Sequence, residues 1–221
     1  PKRRIVKAML DSMDQNVGKV LASLKQNGLE ENTLVVFLSD NGGHEASPNT
    51  PLRGKKGTYW EGGIRVPFCM KWKDQLPEGQ RYTNPVISLD LMPTFIAAAE
   101  GEIQKEWKLD GTNLLPFLRG ENKARPHQTL YWTWGARKAI RHHDSKAFTD
   151  NGGKSWKLLQ LTKDISESND LSSKRPLKLK ELIEKHQAWE ATLMPQQWGW
   201  NKNLGYKDPD FGKPKPYHQR K

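Results

Sequence analysis

Leu34-Val35-Val36-Phe37-Leu38-Ser39-Asp40-Asn41-Gly42-Gly43 is the stretch on which the fold class turns. An apolar run of this length, following the turn-forming Glu30-Glu31-Asn32-Thr33, predicts a strand buried on both faces, as in the central sheet of an α/β domain. The run ends on a carboxylate, an amide and two glycines. Open α/β sheets gather their ligands outside the carboxyl ends of the strands, which is where these oxygens stand. Asp40 and Asn41 supply hard oxygen donors suited to calcium or magnesium. The plainer alternative is a strand that closes in an Asx turn.

Working outward, Ile5, Met9, Met13, Val17, Val20, Leu21 and Leu24 recur at helical spacing, which predicts an amphipathic helix over 5–27 with Gly28 as its stop. Residues 40–63 are rich in Gly, Pro, Asn and Thr and predict a long loop of the kind that often carries function. A second strand is expected over 66–72. A helix is expected from Asp90, with Pro93 in its first turn, where a missing N–H is tolerated. The composition shifts near 119–128, which places a domain boundary there and divides the chain into 1–122 and 123–221. The second part reads as four strands, Thr129–Trp134, Ala136–Arg141, Lys146–Phe148 and Trp156–Leu161, with polar turns between them. Pro176 then opens a helix with Leu179, Leu182, Ile183, Trp189 and Leu193 on one face. Trp132 and Trp134 share a strand face and are expected in the core. After about residue 195 the tail is expected to be irregular, with Trp198 and Trp200 as surface packing or as platforms for sugar rings.

The chain has 221 residues, 36 Lys and Arg against 25 Asp and Glu, and a net charge of +11. That balance favours anionic partners, and solvated faces and tails account for it equally well. One cysteine, Cys69, excludes an internal disulfide. No run approaches the roughly 18 apolar residues of a membrane span. No signal peptide is visible. A hydrophobic fraction of 35% and a mean hydropathy of −0.85 are low for a self-sufficient α/β domain, so some apolar surface is expected to face strands that lie elsewhere.

Ser39-Asp40-Asn41-Gly42, followed by Lys56-Gly57-Thr58 and Glu61-Gly62-Gly63-Ile64-Arg65-Val66-Pro67, closely resembles the formylglycine-dependent sulfatases of the alkaline phosphatase-like superfamily. Met13-Asp14-Gln15-Asn16-Val17-Gly18, Gly28-Leu29-Glu30-Glu31-Asn32-Thr33 and Ser88-Leu89-Asp90-Leu91-Met92-Pro93-Thr94 agree with the family in order and spacing. The resemblance covers residues 5 to about 195. It implies an α/β fold: part of an alkaline phosphatase-like sandwich, then a small C-terminal domain with a four-stranded antiparallel sheet and one helix. The family's nucleophile arises from Cys/Ser-x-Pro-x-Arg, and no such motif is present. Asn49-Thr50-Pro51-Leu52-Arg53 keeps the Pro-x-Arg half, with Asn where the family has Cys. The family's paired N-terminal aspartates are absent too. The expectation is a C-terminal half, beginning at Pro1, whose formylglycine lies in a missing N-terminal half of the same protein.

By this resemblance Asp40 and Asn41 are metal ligands for Ca2+ or Mg2+, and Lys56 contacts the sulfate group, with Lys55 as the alternative if the register is shifted by one. His44 stands close to the metal motif as a substrate contact or proton donor. Arg53 either anchors the loop or meets an anionic substrate. Glu61 and Arg65 look structural, and Gly62 and Gly63 are expected to allow tight turns. His142-His143-Asp144 is tempting as a metal cluster, but adjacent residues on a strand point apart.

The reading that follows is a sulfatase acting on an anionic sulfated small molecule or glycan, inactive as this chain alone. Nucleic acid is not the expected partner. The family implies an extracytoplasmic location: periplasmic, secreted or lysosomal. Two alternatives remain: a phosphodiesterase or phosphonate monoester hydrolase of the same superfamily, or a non-catalytic basic module that binds polyanions.

Overall fold

The computed structural model describes residues 2–194, which fall in two compact units. Of the described residues, the first comprises 2–50, 54–58 and 62–128; the second comprises 51–53, 59–61 and 129–194.

The first unit opens with helix α1, Lys2–Gln26. The helix ends as its sequence predicts. Gly28 takes φ +67°, its N–H donates to the Lys25 carbonyl at 3.1 Å, and the Leu29 N–H donates to the Leu24 carbonyl at 2.9 Å. This paired closure needs a residue that tolerates the left-handed region. No residue of α1 is buried, and Ile5, Met9 and Val20 are each more than 60% exposed. Strand β1, Val35–Leu38, pairs antiparallel with β2, Phe68–Lys71, from Val35 opposite Lys71 to Leu38 opposite Phe68. The expected burial on both faces is not observed: β1 is half-buried and Phe37 is exposed. The reason is coverage. Among the described residues β1 has one neighbouring strand, and α1 buries nothing against it.

Short helix α2, Glu61–Ile64, lies at the end of the long loop. Helix α3, Leu91–Ala98, follows a 3-10 turn at Ser88–Asp90, and Pro93 is buried in its first turn. Asp90 is fully buried and works as a staple. One carboxylate oxygen accepts the Ile87 N–H at 2.8 Å; the other accepts the Thr112 N–H at 2.8 Å and sits 2.7 Å from Nε2 of His127. A carboxylate there needs a donor, so His127 carries its proton on Nε2. Thr94 Oγ1 accepts the Leu114 N–H at 2.9 Å and ties α3 to α4, Leu115–Leu118.

The second unit holds the four-stranded antiparallel sheet β3 (Thr129–Trp134), β4 (Arg137–His142), β5 (Ser145–Thr149) and β6 (Lys157–Gln160), in sequential order, with helix α5, Pro176–Glu190. The strands lie within a residue or two of their sequence assignments. Alternation sends neighbouring residues to opposite faces. Ile140, Ala147 and Leu158 pack with Leu182 of α5, while Ala139, Phe148 and Leu159 pack against Tyr59, Trp60 and Trp132. Both faces are therefore covered. Burial against the second cluster pushes the Tyr59 hydroxyl up to about 12.

Two core assignments change. Trp134 is exposed at the edge of the sheet with the Arg137 guanidinium 5.0 Å from its ring, and Leu193 lies past the end of α5 and is exposed. Trp198 and Trp200 lie outside the described residues. The sequence reading also passes over His186, which is fully buried in α5 among the rings of Tyr131, Trp156 and Trp189. Its Nε2 lies 3.1 Å from the Trp132 carbonyl and must donate there, which leaves Nδ1 without a hydrogen-bond partner.

Burial lowers the pKa of His186, although Glu190 lies 4.0 Å from Nδ1. A native pKa below the unfolded one means the unfolded chain takes up the proton first. His186 therefore supports the fold above the unfolded value of about 6.5 and loses that contribution as pH falls toward the native value. His142, also lowered by burial, acts in the same direction, and Glu167, raised by burial, acts in the opposite one. Comparison with His186→Leu isolates the one group. Thermal unfolding at pH 7.5 and pH 5.0 is expected to show wild type losing ground relative to the variant, by about 1.4 kcal/mol per pH unit between the two pKa values. A constant difference across this range would disprove a neutral buried His186.

Candidate functional site

Asp40 and Asn41 follow β1 after Ser39, whose N–H still donates to the Pro67 carbonyl at 3.2 Å. Asp40 is exposed and Asn41 half-buried. Ser39 Oγ donates to the Asn41 carbonyl at 2.8 Å and sets the direction of the turn. The next two residues fix the loop. Gly42 donates its N–H to the Gly63 carbonyl at 3.0 Å, and an added Cβ on Gly42 would lie 1.8 Å from the Gly62 carbonyl oxygen. A Cβ on Gly63 would lie 2.2 Å from the Thr58 carbonyl oxygen. These glycines serve close backbone approach, not the tight turns expected for Gly62 and Gly63. Both lie in α2, and neither takes a positive φ.

Asn49 is the organising residue that the sequence reading missed. Its Oδ1 accepts the Gly43 N–H at 2.8 Å, while its Nδ2 donates to the Gly43 carbonyl at 3.1 Å and to the Gly54 carbonyl at 3.0 Å. One amide thus stitches the metal-motif loop to the start of the lysine-bearing arc. The Lys56 N–H completes the seam by donating to the Gly43 carbonyl at 3.1 Å. The backbone of Lys56 is therefore bonded two residues beyond Asn41. An amide with a donor and an acceptor on one carbon can bridge two strands of loop in this way, and no motif rule singles it out.

The two neighbouring lysines differ. Lys55 Nζ lies 3.4 Å from Glu45, whereas Lys56, also exposed, has no ion pair among the described residues. The Thr58 hydroxyl donates to the Lys55 carbonyl at 2.7 Å and holds the turn between them. His44 is exposed and its carbonyl accepts the Ser47 N–H. Asp40 and Asn41 form an oxygen-only pair that fits a hard cation, but calcium takes six to eight such oxygens, so further donors are needed. No group of three His, Cys, Asp or Glu side chains able to hold a metal occurs among the described residues, and His142 instead bonds Thr129 Oγ1 at 2.7 Å with its ring 4.4 Å from that of His143.

Arg53 belongs to the second unit. Its Nη1 donates to the Glu167 carbonyl at 3.0 Å and its guanidinium lies 3.9 Å over the Trp60 ring. Of the two roles considered for it, loop anchoring has these contacts in its favour. Glu61, assigned a structural role, is buried: it accepts from Lys146 Nζ at 2.8 Å, and its N–H donates to Glu167 Oε2 at 2.6 Å. Lys146 Nζ also donates to Glu167 Oε1 at 2.8 Å.

Residues 7–101 match the family described as Sulfatase, and residues 55–197 match the family described as N-sulphoglucosamine sulphohydrolase, C-terminal. The chain is 36% identical to steryl-sulfatase of Mus musculus over 69% of its length, and 33% identical to a sulfatase of Formosa agariphila over 76%. It covers 25% and 35% of those proteins respectively, and so spans well under half the length of either. The solved structure of Ps i-CgsB in complex with k-i-k-neocarrahexaose is similar at 34% identity and a TM-score of 0.79, covering 89% of this chain and 45% of that one.

The close backbone approach at Gly42 generates a direct test. Gly42→Ala places a methyl against the Gly62 carbonyl, so the backbone must move, at a cost of about 1–3 kcal/mol. Hydrogen exchange is expected to show faster exchange at Lys56, whose N–H depends on this seam. Unchanged stability and exchange would show that the approach is not close.

Proposed function

The chain belongs to the sulfatase family, and from that premise we propose that it forms part of an enzyme that hydrolyses a sulfate monoester to an alcohol and inorganic sulfate. One observation carries the assignment of roles: the Lys56 N–H is bonded to the Gly43 carbonyl, which ties the lysine arc to the loop that follows Asp40 and Asn41. Lys56 would set its ammonium against a sulfate oxygen or the leaving oxygen, where charge develops. Asp40 would supply negative charge and Asn41 a neutral carbonyl to a divalent cation, Ca2+ or Mg2+. When bound, the cation would neutralise sulfate charge, and a formylglycine carried outside this chain would supply the nucleophilic oxygen. His44, exposed in the same loop, would serve substrate contact or proton transfer.

The substrate class we propose is a sulfated glycan. Support comes from the net charge of +11 and from the likeness to a protein solved with a neocarrahexaose. The proposed partner is the N-terminal half of the same protein, which would cover α1 and β1. An extracytoplasmic site is proposed from the family. No helix among the described residues is long and apolar enough to cross a membrane.

Three measurements check this reading. The chain alone, with no Cys/Ser-x-Pro-x-Arg motif, is expected to leave an aryl sulfate intact; turnover that survives repurification and is lost on Lys56→Ala would overturn that. In the complete enzyme, Lys56→Ala is expected to lower kcat by about 10²–10³, the usual cost of losing one such charge-assisted donor. Lys55→Ala, removing a solvated ion pair, should cost little. Equal effects, or greater damage at Lys55, would reverse the assignment. Asp40→Ala should strip the metal from the complete enzyme, and elemental analysis showing full occupancy in that variant would refute Asp40 as a ligand.

A further inference from the structure

Glu167 holds the chain at two places. Its carboxylate oxygen Oε2 accepts the Glu61 N–H at 2.6 Å, and its own carbonyl accepts Nη1 of Arg53 at 3.0 Å. Trp60 strengthens both holds, with Arg53 over its face at 3.9 Å and Phe148 edge-on at 4.4 Å. Glu167 is 1% exposed and takes φ +55°, a left-handed backbone that a non-glycine residue adopts only under strain. Lys146 Nζ, at 2.8 Å, fixes the other oxygen. Only Gly54-Lys55-Lys56-Gly57-Thr58 runs between the two held segments, 51–53 and 59–61.

We propose that Glu167 is a positioning residue for Lys56: it clamps both ends of the five-residue arc that carries the lysine, and so fixes the arc's span. The role given to the lysine rests on the function proposed above. The physics is that of loop closure. A short arc with both ends fixed has few conformations left, and Gly54 and Gly57, at φ +84° and +81°, would otherwise leave this one loose. The bonds within the arc gather at Lys55 and Thr58: Thr58 N–H and Thr58 Oγ1 donate to the Lys55 carbonyl and Lys55 N–H donates to Thr58 Oγ1, while Lys56 N–H to Gly43 and Asn49 Nδ2 to the Gly54 carbonyl tie the arc to the neighbouring loop. Glu167 touches no substrate in this account. It acts through Lys56.

The test has two arms. In the full chain, hydrogen exchange is read at Lys56 and Thr58 in Glu167→Gly, Arg53→Leu and Glu167→Gln. Glycine accepts the left-handed backbone, so Glu167→Gly removes the carboxylate without adding strain. Arg53→Leu releases the other end at an exposed position. Each is expected to speed exchange at Lys56 and Thr58 by about tenfold, and Arg53→Leu, which leaves the ion pairs of Lys146 intact, to do so while β4 and β5 stay protected. Glu167→Gln, which keeps an oxygen for the Glu61 N–H, is expected to restore much of the protection. Unchanged exchange in folded Glu167→Gly, or in Arg53→Leu alone, would overturn the clamp. In the complete enzyme, Glu167→Gly is expected to lower kcat about 10-fold to 100-fold by misplacing the ammonium, and to add nothing in a Lys56→Ala background. Equal losses in both backgrounds would overturn positioning through Lys56. A silent Lys56→Ala would instead refute the lysine's catalytic role, and the exchange arm would then judge the clamp by itself.

Discussion

Lys146 carries its ammonium to a place with no exposed surface, and Glu61 and Glu167 make that possible. Taking a charge out of water costs several kcal/mol, which attraction offsets only when geometry and hydrogen bonds are good. Here each carboxylate sits 2.8 Å from the ammonium. The second negative charge meets Arg141, whose guanidinium lies 4.0 Å from Glu61. Arg141 and Lys146 stand directly opposite each other across β4 and β5, a like-charge pair that would repel. Glu61 next to both removes that conflict. Burial also raises the pKa of Glu167 against the pull of Lys146, which marks how costly its charge is in that place. Loss of any one partner would strand the others, so residues at 61, 146 and 167 specify one another.

The first unit is organised differently. Its site loop has little regular structure, yet backbone groups and one amide lace it at Gly42, Gly43, Asn49, Gly54 and Lys56. Close glycine approach lets these backbone segments come within bonding distance, so a loop with little regular structure still has its backbone groups paired. Asp90 gives the same service around α3 by satisfying Ile87, Thr112 and His127 from one buried carboxylate.

The legibility of the sequence followed the range of the interactions. Period and turn chemistry are local, so α1 with its Gly28 stop, the four strands and the Pro176 start of α5 could be read from neighbouring residues. Burial is not local. Phe37 stood in an apolar run and is exposed, because β1 has a single neighbouring strand among the described residues. Trp134 had the right period for the core and sits at an edge where Arg137 covers it. Lys146 and Glu167 went unremarked in the sequence, since pairing over 85 and 21 residues leaves no local pattern. Asp40, Asn41 and Lys56 were nominated by motif. Asn49 was read only as a mismatch where a cysteine was sought, and its part in the loop needed coordinates.

The division between buried and exposed charge bears on which groups can act on a ligand. A charge already satisfied by the protein has little left to offer a substrate. Lys146 is held by two carboxylates, Asp90 by three donors, and Lys55 is shared with Glu45. Asp40 and Lys56 are exposed and enter no ion pair among the described residues. Their backbones, however, belong to segments joined through Gly43. Fixed position with unspent charge is the combination that electrostatic catalysis needs, because the group need not reorganise when charge develops on the substrate. Backbone bonds and the Asn49 amide supply the fixity of that loop, and its exposed charged groups keep their charge unspent.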